Sequence, residues 1–183
     1  WPGVSTDGGG AMRATVTLDR PWLRMDLPRE MRVLSWAPHG AGYTPANAIL
    51  WREVRNADLT PEFDAEAWLS QQMPMRSVGM LTSRDVGTWA EAFAEVEGIT
   101  AHCVATVGLS NAEAVGRRLP YHSADYGTIN IGLSTNATLT EAAQLEAMSI
   151  AVQARTAGVM AAGLELATGL ATGTGTDCVA LAC

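Results

Sequence analysis

The sequence predicts a single α+β domain in which a largely antiparallel or mixed sheet packs against a few helices. Three observations carry this. Several short runs alternate polar and apolar residues with the period of two that a strand imposes, at 12–18, 22–27, 99–109 and 127–134. One long stripe of helical periodicity runs near 140–163. No linker, repeat or charge block divides the 183 residues, a length that suits one core.

Taken in order, residues 1–11, with Gly8-Gly9-Gly10, read as a loose N-terminal arm, and 12–183 as the domain. Met12–Leu18 and Trp22–Leu27 flank Asp19-Arg20-Pro21, which predicts a hairpin. Met31–Ala37 reads as a short buried strand. The glycines and prolines of Pro38–Pro45 then predict a loop. Pro61–Gln72 is expected to be helical, with Phe63, Ala67 and Trp68 on one side, and Met75–Thr82 to be a strand.

Ile99–Leu109 places Cys103, Ala105 and Val107 on one face and His102 and Thr106 on the other. Gly127–Ser134 repeats that alternation. Thr138 and Glu141 have the spacing of a capping box for the long helix, whose stripe passes through Leu145, Met148, Val152 and Val159. After Ala171–Asp177, Cys178–Leu181 reads as a final strand.

Composition excludes several chemistries. The net charge is −7 and all twelve basic residues are arginine. No Schiff-base lysine, Gly-Lys phosphate loop or Ser-Lys dyad can therefore exist. An acidic chain without a basic run is not expected to bind nucleic acid or an anionic membrane surface. Three cysteines without a Cys-x-x-Cys pair suggest reduced thiols in a cytoplasm. The absence of an initiator Met and the end at Cys183 suggest a fragment. None of His39, His102 and His122 has zinc spacing, so no metal site is expected. His102 and Cys103 are adjacent on a strand and point to opposite faces, which rules them out as a dyad.

Polar segments at strand ends are the candidate sites, since a rigid scaffold presents reactive groups there. In Ala171–Asp177, alternating Thr and Gly bring backbone N–H groups and hydroxyls close to a ligand, and Asp177 can orient a water or the Thr174 hydroxyl. A glycine-rich connection whose aspartate caps a loop is the competing reading. Ser110-Asn111 can hold an amide or an oxyanion, or simply cap a helix. Asp85 and Asn130 are candidates of the same kind. His39, in the Pro38–Tyr43 loop, is the histidine best placed near a ligand.

These segments occur in one order: Leu34-Ser35-Trp36-Ala37-Pro38, Gly79–Asp85, Thr106–Ala112, Gly127-Thr128-Ile129-Asn130-Ile131, and Ala171–Asp177. That ordered set, spanning about 14–182, resembles the adenosylcobinamide amidohydrolases. The resemblance implies a hydrolase that cuts the amide between a corrin propionate and its aminopropanol arm. The product would be cobyric acid for cobamide salvage, and some relatives act on complete cobamides.

No cofactor is implied, because the cobalt belongs to the corrinoid substrate. Matching polar positions are Ser35, Asn47, Asp85, Ser110, Asn111, Asn130, Thr172, Thr174 and Asp177. On these, Asp177, Thr174, Asp85 and Asn111 are the candidate catalytic residues. Ser35, His39, Tyr43, Asn47, Ser110, Asn130, Thr172, Gly173 and Gly175 are the candidate substrate contacts. Trp36 and His39 depart from the small or amide residues more usual in that family. Two other readings stay open: a self-processing amidohydrolase or acyltransferase with a threonine nucleophile, and a corrinoid-binding module without catalysis. A homo-oligomer is compatible with the sequence.

Overall fold

The computed structural model describes residues 4–6, 13–55, 64–117 and 127–183. The Met12, Pro61–Phe63 and His122 expectations, and most of the expected arm, lie outside these residues. In chain order the elements are β1 (Val4–Thr6), β2 (Thr15–Asp19), β3 (Trp22–Ser35), β4 (Gly42–Glu53), α1 (Ala65–Ser70) and β5 (Ser77–Thr82). Then follow β6 (Ala90–Val96), β7 (Ile99–Val107), β8 (Ala112–Glu113), β9 (Ile129–Thr135) and β10 (Ala137–Leu139). The chain ends with α2 (Glu141–Ala161), β11 (Glu165–Leu166), β12 (Gly169–Leu170), β13 (Gly173–Thr174) and β14 (Cys178–Ala182).

The main sheet runs β5-β4-β3-β14-β9-β7-β6, with β2 pairing β3. It is mixed: β4–β5 and β9–β14 are parallel and the other pairs antiparallel. The fold is thus the expected α+β. The hairpin forms at Asp19–Trp22, but its second strand does not stop at Leu27. Instead β3 continues to Ser35 across a register shift between Asp26 and Met31.

β4, from Gly42, replaces the second half of the loop expected over Pro38–Pro45. Pro45 is tolerated because β5 pairs β4 only from Ala48 onward, so the proline sits where β4 is an edge. β1 adds to β10 through backbone pairing.

One face of the sheet buries Leu23, Met25, Val33, Ile49, Trp51 and Met80 around Val104 and Ala180. The sheet rolls so that β4 and β5 approach β9, which β3 and β14 separate from β4 along the hydrogen-bonded order. The Trp51 indole donates to the Asn130 carbonyl at 3.3 Å, and Asn130 Nδ2 donates to the Leu81 carbonyl at 2.6 Å. Gly132 makes this approach possible. A methyl group there would lie 2.5 Å from the Trp51 ring.

The opposite face carries α2, which packs Met148 on Val179 and Leu181. Thr140, not Thr138, caps α2, its hydroxyl accepting from the Ala143 amide at 3.2 Å. Thr138 is used in β10. Of the expected stripe, Met148 and Val159 are buried while Leu145 is 57% exposed.

Gln144 is fully buried and saturates the junction between helix and sheet. Its Oε1 accepts from Arg32 Nε, and its Nε2 donates to the Arg32 and Leu181 carbonyls. In β7 the buried positions are His102, Val104 and Thr106, and the Ala101/Cys103/Ala105/Val107 side is the more open one. His102 stacks on Phe93 with ring centroids 4.1 Å apart, and its Nε2 meets Glu91 at 2.9 Å.

Candidate functional site

The segment Ala171–Asp177 leaves β12, pairs briefly with β8 through Gly173 and Thr174, and turns into β14. Its turn is held by Asp177, whose side chain is only 3% exposed. Asp177 Oδ1 accepts from the Ile129 amide at 2.9 Å and from the Thr174 hydroxyl at 2.5 Å. Asp177 Oδ2 accepts from the Thr174 amide at 2.9 Å and lies 3.3 Å from Arg155 Nη1. These donors fix both the rotamer of the aspartate and the hydroxyl of Thr174. Gly173 is needed beside them, because a methyl group there would sit 2.7 Å from Asp177 Oδ2.

Two cavities flank this segment. The larger, about 620 Å³, is lined by Thr172, Gly173 and Thr174 on one side, and by Val152, Arg155 and Thr156 of α2 and the 113–116 turn on the other. Thr172 shapes its rim, its hydroxyl accepting from the Val115 amide at 2.8 Å. Thr174 therefore stands on a cavity wall with its hydroxyl on a carboxylate and a guanidinium beyond the carboxylate.

The smaller cleft, about 220 Å³, opens beside the next part of the same segment, among Thr176, Asn111, Asn130, Leu81 and Pro38. The Thr128 hydroxyl donates to the Thr176 carbonyl at 2.8 Å and toward Asn130 Oδ1 at 3.2 Å. The Thr176 hydroxyl donates to the Gly127 carbonyl at 2.9 Å. Asn111 Oδ1 is buried without a hydrogen-bond partner. Cys178 also lines this cleft. Burial, reinforced by the nearby Asp177 charge, pushes its thiol up to about 12 against the weaker opposing effect of Ser35.

The predicted residues therefore divide. Asp177, Thr174, Thr172 and Gly173 gather at the larger cavity. Asn111 and Asn130 line the smaller one. Gly175 lies in the turn between β13 and β14, and exposed Ser110 adjoins Asn111. Ser35 is buried beneath the site. Its hydroxyl donates to the Val179 carbonyl at 2.9 Å and accepts from the Ala37 amide at 2.9 Å.

The remaining candidates stand apart. Asp85 caps the short 3-10 turn Val86–Thr88 and pairs with Arg20 at 2.7 Å. That hydrogen bond, then the Gly87 amide, holds its carboxyl below the usual aspartate value. His39 meets the Ser70 hydroxyl of α1 at 3.1 Å, and burial lowers its pKa. Tyr43 reaches the Glu141 carbonyl at the start of α2, and Asn47 is exposed on β4.

Arg155 was not among the residues read from the sequence as functional. The signal was present, since it is the one basic residue in the 21 residues of α2. Thr128, Thr176 and Cys178 were also missed, and nothing in their local pattern separates them from ordinary strand-end residues. Trp36 is tied to the same segment, its indole donating to the Asp177 carbonyl at 2.8 Å.

Among the described residues no group of three or more His, Cys, Asp or Glu side chains is arranged to hold a metal ion, and no helix is long and apolar enough to cross a membrane. A comparison with curated proteins gives no match. A family model described as adenosylcobinamide amidohydrolase matches residues 9–183. The match takes in every element that builds the two cavities, and the chain belongs to the adenosylcobinamide amidohydrolase family.

Proposed function

We propose that this chain hydrolyses the aminopropanol amide of adenosylcobinamide, releasing cobyric acid, with Thr174 as nucleophile and Asp177 as its base. One observation carries the assignment of roles. Thr174 lines the larger cavity and its hydroxyl donates to Asp177 Oδ1 at 2.5 Å, the nucleophile–base contact that amide attack requires.

Asp177 is nearly inaccessible and its other contacts are occupied by Ile129, the Thr174 amide and Arg155. A free water has no open approach to either oxygen. The hydroxyl is thus favoured over a water as the group Asp177 activates.

In this scheme the Thr174 oxygen bonds to the amide carbonyl carbon while its proton passes to Asp177 Oδ1. The proton then moves to the departing nitrogen as the C–N bond breaks, and aminopropanol leaves as a neutral amine. Water next hydrolyses the threonyl ester, giving the corrinoid carboxylic acid and restoring the hydroxyl. Arg155 keeps Asp177 oriented through Oδ2. The scheme calls on no protein-bound metal, and the cobalt arrives within the substrate. The aminopropanol arm enters the cavity while the corrin ring stays outside it.

The test is mass spectrometry of the corrinoid after incubation of adenosylcobinamide with wild type, Thr174→Ala and Thr174→Ser. Cobyric acid should appear with wild type, fall by about 10²-fold or more with Thr174→Ala, and be partly restored with Thr174→Ser. An undiminished rate in folded Thr174→Ala sinks the nucleophile. An unchanged corrinoid with folded wild type sinks the hydrolase.

The saturation of Asp177 also suits a second reading, a corrinoid-binding module whose aspartate only locks the turn. That reading expects a corrinoid absorbance change on binding with no aminopropanol released.

A further inference from the structure

Resting on the corrinoid reading of the larger cavity, we infer that the smaller cleft is a second recognition site, which receives a neutral primary carboxamide of the substrate through Asn111. Among the described residues the cleft is lined by threonines, asparagines, a serine, a cysteine and apolar groups, with no charged side chain. The Cys178 thiol, the one titratable group among the described lining residues, is held neutral by burial. A charged ligand would find no counter-charge among these side chains, and a purely apolar one would strand the polar lining.

The lining is also selective in what it leaves unmet. Asn130 spends its amide on the Leu81 carbonyl, and both Thr128 and Thr176 donate to backbone carbonyls. Asn111 is the exception: its Oδ1 is buried, has no partner, and rests against the Cα side of Gly127, where a methyl group would lie 2.7 Å from it. A side-chain amide offers one acceptor and an N–H donor side by side. With the side chain turned from Gly127 into the cleft, the neutral group that meets both at once is another carboxamide, in a paired two-hydrogen-bond contact. Leaving that buried acceptor unsatisfied is costly, so a ligand that supplies its N–H gains selectivity over one that does not.

The two cavities are spaced for one ligand. Thr174 faces the larger and Thr176 the smaller, and two residues of chain span at most about 7 Å. A macrocycle bearing several carboxamide arms around its rim can set the scissile arm in the larger cavity and a neighbouring amide in the smaller. Asn111 then acts in binding and selectivity, away from the nucleophile.

The experiment measures steady-state hydrolysis of adenosylcobinamide, and its equilibrium binding by dialysis, for wild type and Asn111→Ala. The same pair is assayed on a cobinamide whose primary amides are converted to methyl esters. Asn111→Asp, of the same shape, is carried alongside in case truncation disturbs the fold, with circular dichroism and a thermal melt on each protein.

The expected result is a KM or Kd for the amide substrate raised roughly five- to tenfold in Asn111→Ala, with kcat within about twofold. Wild type should prefer amide over ester by a similar factor, and Asn111→Ala should lose that preference. Equal KM and Kd in folded Asn111→Ala, or an amide preference that persists in it, overturns the subsite. So does a wild type that fails to bind cobinamide at all. If wild type binds without hydrolysing, the amidohydrolase reading fails while weaker binding by Asn111→Ala still upholds the subsite.

Discussion

Replacing Asp177 by Asn leaves the number of heavy atoms in the site unchanged, yet the structure predicts a large loss of stability. The carboxylate is 3% exposed and accepts on both oxygens, and Arg155, 16% exposed, is its ion-pair partner at 3.3 Å. An amide offers one acceptor where two are needed. With NH₂ at the Oδ1 position the Thr174 hydroxyl can reverse and accept, but the Ile129 amide meets a donor. With NH₂ at Oδ2, both the Thr174 amide and Arg155 do.

Either way a largely buried guanidinium loses its counter-charge. Removing one partner of a buried pair costs about 3–5 kcal/mol, and the residual exposure of Arg155 argues for about 3. In a domain of this size about 1 kcal/mol moves Tm by about 2–4 °C, so Asp177→Asn should melt about 6–12 °C below wild type.

The assay is thermal and urea unfolding of wild type, Asp177→Asn, Arg155→Met and the double variant. The double variant should be more stable than the sum of the single losses by about 1–3 kcal/mol, because no unpaired charge remains. An Asp177→Asn melt within about 2 °C of wild type, or strictly additive single and double variants, would refute the argument.

Gly132→Ala should destabilise by about 1–3 kcal/mol, read from the urea midpoint, because its methyl would meet the buried Trp51 ring at 2.5 Å. Gln144→Leu should lower stability by about 2–3 kcal/mol in the same assay, since Arg32 and two backbone carbonyls lose a shared buried partner. The Cys178 thiol, raised from 9.0 to about 12, should resist iodoacetamide at pH 8 in the folded protein and react only on unfolding.

Because the folded-state value is the raised one, that group's contribution is intact below pH 9.0 and shrinks as pH climbs toward about 12. By pH 10 wild type should have lost about 1 kcal/mol relative to a Cys178→Ala variant, measured as the change in their stability difference from pH 8.

Patterns carried by near neighbours were readable without the fold. The Asp19–Trp22 turn, the alternation of β7 and β9, the apolar run of β14 and the periodicity of α2 each depend on residues within a few positions, and each element is present. Two strands were hidden for identifiable reasons. β4 begins among glycines and contains Pro45, which local rules assign to a loop, but pairing with β3 overrides them. β6, Ala90–Val96, is alanine and glutamate, residues of weak strand preference, at all positions but Phe93 and Val96, and its pairing with β7 makes it a strand.

The inward face of β7 was not legible in the sequence, for a similar reason. Alternation says that residues 102, 104 and 106 share a side, but only the roll of the sheet and the limited reach of α2 decide that this polar-looking side is the buried one.

The site divides along the same line. The ordered polar segments, from Leu34–Pro38 to Ala171–Asp177, are local and were sufficient to point to the family that the 9–183 match assigns. That Thr174 and Asp177 face each other was likewise within reach, being three residues apart in one turn. What no window of sequence contains is Arg155 behind Asp177, Asn111 beside Gly127, or the splitting of one polar segment between two cavities. Those depend on α2 crossing one face of a sheet whose other face rolls β4 onto β9. They were decided by burial summed over distant strands, the one term that local sequence cannot hold.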